Sequence, residues 1–324
     1  MTMCHLSILE PENGRCGLRA ALLLSALGVT TVALTASAPA SAGTGRDLRV
    51  DAGAHGTTAR WLVDGLRAAA PAPGVPLRGP GAPLTVYAHR GASSAAPENT
   101  LLADEVARRS GVEWIENDVQ PSKDGVPYVL HDETVNRTTS GTGRIRDLTA
   151  AQLDALDAGS WFAPAFAGAR VPSLAAQLDD LHARGGSLLL EIKGPHSRDE
   201  VARVVKDIRD HDMAGRVLVQ SFDADALRLT RELAPDLPLA LLRSELDADP
   251  VAVAGELGLS AYHPSDSALA SRPEIVTALH AAGVAVNVWT VDAATRWKAL
   301  DAAGVDGIIT NHPAELAGWL SARP

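Results

Sequence analysis

The chain has 324 residues, 46% of them hydrophobic, and a formal net charge of -10. That length supports a sizeable core in one large domain or two small ones, and that hydrophobic share excludes disorder over most of it. The acidic balance argues against a nucleic-acid partner, which asks for a basic face, and leaves a small anionic substrate open because local charge can oppose the total.

The first segment in chain order reads as a leader. Arg15 and Arg19 precede the apolar run "AALLLSALGVTTVALTA", and "SAPASAG" then offers small-residue cleavage sites such as Ala40-Ser41-Ala42. This is the layout of a secretory signal over residues 1–42, so a secreted protein with no stable membrane insertion after cleavage is expected. The alternative is an uncleaved membrane anchor, for which the run is short and its serine and threonines are unfavourable. Cys4 and Cys16 both precede the apolar run, so the mature chain would carry neither disulfide nor thiol chemistry. Residues 43–83 are rich in Gly, Pro and Ala. They hold one weak helical pattern, "TTARWLVDGLRAAA", and read as an N-terminal extension and linker.

Over residues 84–324 short apolar runs alternate with amphipathic segments. Strands are predicted at "LTVYAH", "VEWIENDV", "VPYVLH", "SLLLEIK", "RVLVQSF", "LPLALLR", "LSAYHP", "VAVNVWTV" and "GIITN", and helices over 99–110, 198–211, 223–234, 273–282 and 293–303. Glycines follow several helices, as in "HAAGVAV" and "DAAGVDG". Repeated strand–helix alternation makes a parallel sheet, and about eight such units close into a (β/α)8 barrel of the TIM type. An open doubly wound sheet is the alternative, but no G-x-G-x-x-G follows the first strand. One strand is surplus to the wall. Only "QPSKDG" separates "IENDV" from "VPYVLH", too little for a parallel crossover, so the pair should form a protruding antiparallel hairpin turned at Asp124-Gly125. Pro121 and Pro127 suit that position better than a central strand.

The hairpin gathers chemistry. Glu116 and Asp118 lie two apart and so share one face of their strand. A two-residue turn would bring His131 opposite Asp118, roughly 5 Å away at Cβ, and a slip of one pair would bring it opposite Glu116. Glu191 and Lys193 share a face at the end of a strongly apolar strand, where a carboxylate must pair with a cation or ligate one. A Glu191–Lys193 salt bridge at the rim satisfies that equally well. His89 and Arg90 stand where the first strand meets a glycine, and a solvated turn is the ordinary use of such a spot. In a parallel barrel all strand C-termini share one rim, so these groups should converge there. Three carboxylates suit a hard cation, Mg²⁺ or Ca²⁺, better than Zn²⁺. Arg90 and Lys193 can hold a phosphate, and two histidines can move protons near neutral pH. This is equipment for phosphodiester hydrolysis.

The strings "HRG…PENT", "IENDVQPSKDGVPYVLHD", "VNRTTSGTGRIRDLT", "LLLEIK", "VLVQSF", "VWTVD" and "GVDGIITNHP", in this order over about residues 85–320, resemble the glycerophosphodiester phosphodiesterase family. The resemblance implies a (β/α)8 barrel with an inserted segment after the "HD" motif, a divalent metal, and release of glycerol 3-phosphate from small glycerophosphodiesters. Carried onto this chain, it implies an acid–base pair in His89 and His131. It also implies metal ligands in Glu116, Asp118 and Glu191, and phosphate contacts in Arg90 and Lys193. Asn99, in the "PENT" turn, reads as loop support, and Trp289 as either barrel core or a wall for the glycerol. Asn117 departs from the aliphatic residue the family usually has there and should face away from the site. Phospholipase D-like relatives, which attack sphingomyelin or lysolipids, typically lack the long segment after "HD" that is present here. A non-catalytic secreted binding protein would not need both histidines and all three acids. No obligate protein partner is expected.

Overall fold

The computed structural model describes residue 75 and residues 77–322. The leader expected over residues 1–42 and the helical pattern at residues 57–70 lie outside the described residues.

All nine predicted strands form. They are β1 (Thr85–His89), β2 (Trp114–Pro121), β3 (Pro127–Val129), β4 (Ser187–Ile192), β5 (Val217–Ser221), β6 (Leu239–Arg243), β7 (Ala261–Pro264), β8 (Ala285–Val288) and β9 (Gly307–Thr310). Eight of them run parallel in the order β1-β9-β8-β7-β6-β5-β4-β2, and pairing of β1 with β2 closes the ring. The connecting helices are α1 (Leu101–Arg109), α2 (Ala150–Asp154), α3 (Leu174–Arg184), α4 (Arg198–Asp210), α5 (Ala224–Leu233), α6 (Pro250–Leu257), α7 (Asp266–Ser271), α8 (Ile275–Ala281), α9 (Ala294–Ala302) and α10 (Pro313–Ser321). Local chemistry sets where the helices start. Ser197 and Glu200 form a reciprocal capping box at α4, and Thr100 Oγ1 accepts from the Ala103 backbone N–H at α1. Among the described residues no helix is long and apolar enough to cross a membrane.

Strand alternation sorts side chains between two cores. Outward residues such as Ile115, Leu188, Leu190, Val219 and Leu241 pack against the helices. Inward, each barrel strand gives one residue to an interior cluster: Tyr87, Trp114, Leu189, Leu218, Ala240, Ala261, Ala285 and Ile309. Two residues further along, the same inward face presents His89, Glu116, Glu191, Gln220, Leu242, His263 and Asn287. The apolar cluster is therefore a floor, and the polar ring above it is the site.

The hairpin forms with a different turn from the expected one. Ser122 pairs with Val126, leaving Lys123, Asp124 and Gly125 as a three-residue loop in which Gly125 adopts φ 76°. The register is Val119 to Val129 and Pro121 to Pro127, so by the same count His131 falls opposite Asn117 rather than Asp118 or Glu116. The extra loop residue is the reason, since each added residue shifts the facing pair by one. The ladder ends before that point. The inserted segment packs onto the hairpin through its own core of Tyr128, Leu130, Val135, Ile145, Leu153 and Val171.

Asn117 does face away from the site. Its Nδ2 donates to Asp104 of α1 at 3.1 Å, and Gln177 Nε2 of α3 donates to the same carboxylate at 2.8 Å. Burial pushes Asp104 up to about 6, against the opposing pull of those two donors. Because the folded value lies above the unfolded 3.8, the folded chain holds this proton more tightly. Stability from this group is therefore present in full below about pH 4 and is lost as pH rises through about 6. Asp104→Asn should remove that slope, a change of about 3 kcal/mol across the window. Urea unfolding of both proteins from pH 4.5 to 8 checks it, and parallel profiles would refute it.

Candidate active site

Backbone strain marks the site's edge. Arg90 and Asn99 adopt φ of 57° and 56°, a left-handed conformation that costs a non-glycine residue of order 1–3 kcal/mol. Gly91 lies between β1 and α1 where a Cβ would meet Ala103 backbone and side-chain atoms at 2.6–3.0 Å, so only glycine fits. The strained turn aims the Arg90 backbone N–H at Glu116 Oε2, 3.0 Å away, and Asn99 Nδ2 at Asp118 Oδ2, also 3.0 Å away.

Glu116, Asp118 and Glu191 are buried and bring one carboxylate oxygen each within 4.8 Å of one another. Burial, reinforced by Asp118, pushes Glu191 up to about 8 and Glu116 well above the ordinary carboxylate range. Burial would lift Asp118 too, but Lys193, His131 and Arg90 hold it low. Lys193 Nζ stands 3.0 Å from Glu191 and 3.4 Å from Asp118, and Arg90 Nε 3.6 Å from Asp118. Three buried acids thus turn carboxyl oxygens toward one point, with Asp118 held ionised between two cations and the two glutamates favouring their protonated forms. That donor set fits a divalent cation that prefers oxygen.

His89 is fixed from behind. Its Nδ1 lies 2.7 Å from Asn311 Oδ1. Asn311 Nδ2 and backbone N both donate to Asp292, which turns the amide oxygen toward the histidine. Nδ1 therefore carries the hydrogen and Nε2 the lone pair, 4.0 Å from Glu116 Oε2. Burial, with Arg90 beside it, lowers His89 to about 4, so it is a neutral base at pH 7.

His131 reaches the site beyond the end of β3. Gln120 Nε2 donates to the carbonyls of Leu130, His131 and Asp132, folding the chain inward at that point. His131 Nδ1 sits 2.7 Å from Asp132 Oδ1, and Arg137 grips both Asp132 and Glu98, which in turn pairs with Arg90 at 2.9 Å. This chain of alternating charge ties the inserted segment to the β1 turn.

His89, Arg90, Glu116, His131, Glu191, Lys193 and Trp289 line one pocket of about 170 Å³, with Phe222 edge-on to Trp289 at 5.2 Å. Asp118 stands behind Lys193 at its inner edge. The structure thus brings together the catalytic, metal-ligating and substrate-binding candidates read from the sequence: His89, Arg90, Glu116, Asp118, His131, Glu191, Lys193 and Trp289. A family profile described as the glycerophosphoryl diester phosphodiesterase family matches residues 89–315. The chain belongs to that family. It is 36% identical over 236 residues to a glycerophosphodiester phosphodiesterase of Caldanaerobacter subterraneus, covering 71% of this chain and 95% of that one. A glycerophosphodiester phosphodiesterase of Bacillus altitudinis is 34% identical over 231 residues, covering 70% and 94%. Among solved structures, the glycerophosphodiester phosphodiesterase of Agrobacterium tumefaciens superposes with a TM-score of 0.66 at 32% identity, covering 72% of this chain and 99% of that one. An Oleispira antarctica phosphodiesterase in complex with the product sn-glycerol-3-phosphate gives 0.70 at 28%, covering 74% and 98%.

Several residues of this glycerophosphodiester phosphodiesterase barrel escape a reading of the sequence. Gln220 Nε2 donates to Glu116 Oε1 at 3.0 Å, so its Oε1 is left to accept from His263 Nδ1 at 2.8 Å. His263 Nε2 then accepts from Asn287 Nδ2 at 2.9 Å. All three are buried, and the hydrogen bonds point one way, toward Glu116. The available signal is one polar residue at an inward position of each of three largely apolar strands.

Proposed function

We propose that the chain hydrolyses glycerophosphodiesters to glycerol 3-phosphate and an alcohol, using Ca²⁺ or Mg²⁺ held by Glu116, Asp118 and Glu191. The observation that carries this reading is the half-buried, neutral His89, whose basic nitrogen faces a three-carboxylate cluster flanked by Arg90 and Lys193. A bound divalent cation supplies Lewis-acid neutralisation of phosphoryl oxygens. Arg90 and Lys193 hold the phosphodiester and oppose the charge that develops on it. His89 Nε2 takes the proton from the attacking oxygen, which is either a water or the substrate's own glycerol hydroxyl, the latter giving a cyclic phosphate that a water then opens to glycerol 3-phosphate. His131, its Nδ1–H donated to Asp132, carries a second hydrogen on Nε2 and delivers that proton to the departing alkoxide. Trp289, its Nε1 donating to the His263 carbonyl at 2.7 Å, forms with Phe222 an apolar wall for the glycerol carbons. The test is a product assay. Incubation with glycerophosphodiesters should release glycerol 3-phosphate in step with the free alcohol, and release of an alcohol-phosphate instead would overturn the reading.

A further inference from the structure

We propose that the groove beside the reaction pocket seats the leaving alcohol and selects a polyhydroxylated one, of the glycerol or inositol kind. This rests on the phosphodiesterase reading above. The reaction pocket, at about 170 Å³, has room for little beyond the phosphoryl group and one glycerol. The second substituent on phosphorus must leave it. A groove of about 610 Å³ adjoins it and shares two wall residues with it, His131 and Lys193. An alcohol departing past His131 enters that groove directly.

The groove's chemistry differs from the pocket's. The reaction pocket carries the aromatic pair Phe222 and Trp289, whereas none of the described residues lining the groove is Phe, Tyr or Trp. A quaternary ammonium is recognised mainly by aromatic faces, so choline finds no cage there. An acyl chain needs an apolar wall, and Pro195 is the one apolar side chain among the groove's lining residues. What the inserted segment does supply is paired donors and acceptors. Arg144 lies 3.3 Å from Glu133, and Arg146 is fixed by Glu200 at 2.7 Å and by the Pro195 carbonyl at 2.7 Å. The Arg146 arrangement makes a rigid wall. The Arg144–Glu133 pair is longer and open to solvent, so it can admit a hydroxyl that accepts from the guanidinium and donates to the carboxylate. Hydroxyl groups do both at once, and an ammonium head group cannot.

The test compares kcat/KM of the full chain on glycerophosphoglycerol, glycerophosphoinositol and glycerophosphocholine. The polyol substrates should exceed the choline substrate by about tenfold, the worth of one or two hydrogen bonds. In Arg144→Ala and in Glu133→Ala the polyol-to-choline ratio should fall by about 3–10-fold. Arg144→Tyr, which offers an aromatic face, should push the ratio further toward choline. A polyol preference that survives all three variants unchanged overturns the assignment to this groove. Equal use of all substrates by the wild type overturns the selectivity while leaving the phosphodiesterase reading intact. Hydrolysis of none of them removes both.

Discussion

His131→Ala is expected to lower kcat on glycerophosphoglycerol by about 10²–10⁴-fold, and to lose far less on a p-nitrophenyl diester of glycerol phosphate. The p-nitrophenolate leaves without a proton, so removing the acid costs little there. His89→Ala should depress both substrates by about the same 10²–10⁴-fold, because the attacking hydroxyl must lose its proton whatever leaves. The division follows from environment. His89 is half-buried, tied at Nδ1 to Asn311 and kept neutral, the state a base requires. His131 is more accessible and opens onto the groove into which the alcohol departs. Equal losses on both substrates for both variants would show that the two histidines only position the phosphate.

Glu191→Gln is expected to abolish tight binding of Ca²⁺ or Mg²⁺ and to lower activity by about 10³-fold or more, since loss of even an outer partner of a metal ligand typically costs about 10–100-fold. Calorimetry provides a readout apart from turnover. The wild type should bind one divalent ion per chain and gain thermal stability from it, and the variant should do neither. Glu191 is held at about 8 without an ion, so at pH 7 binding must displace its proton. Affinity should therefore strengthen as pH rises toward 8, with protons released to the buffer. A chelated wild type with undiminished turnover would exclude the metal's role.

The fold was legible because period and punctuation agree. "SLLLEIK" and "RVLVQSF" read as buried strands with helical segments between them, and β4 and β5 appear where those runs lie. His89, Glu116, Asp118 and Glu191 were legible because each ends or interrupts an apolar run where a charge needs a reason. The hairpin register was not legible. Asp124-Gly125 serves a two-residue turn and also the end of a three-residue one, and reciprocal hydrogen bonds between Ser122 and Val126 select the second. Nor could sequence reach Asn311, which is 222 residues from the histidine it orients, or Arg137, which bridges Glu98 and Asp132. Such partners meet only when the barrel closes. Gln220, His263 and Asn287 left a trace, a polar residue at an inward position of a largely apolar strand, but only the ring geometry shows that the three belong together.

That one-way chain limits how the barrel can diverge. Gln220 is donor to Glu116 and acceptor from His263, and His263 is donor to Gln220 and acceptor from Asn287. No single position can change chemical type without stranding a neighbour's buried donor or acceptor, at about 1–3 kcal/mol for each group left unmet. Replacing all three at once with apolar side chains removes most of that demand and leaves Glu116 and the Tyr87 hydroxyl to be served. Descendants of this sequence can thus keep the trio or exchange it as a block, and the intermediates between those states are the least stable members of the lineage.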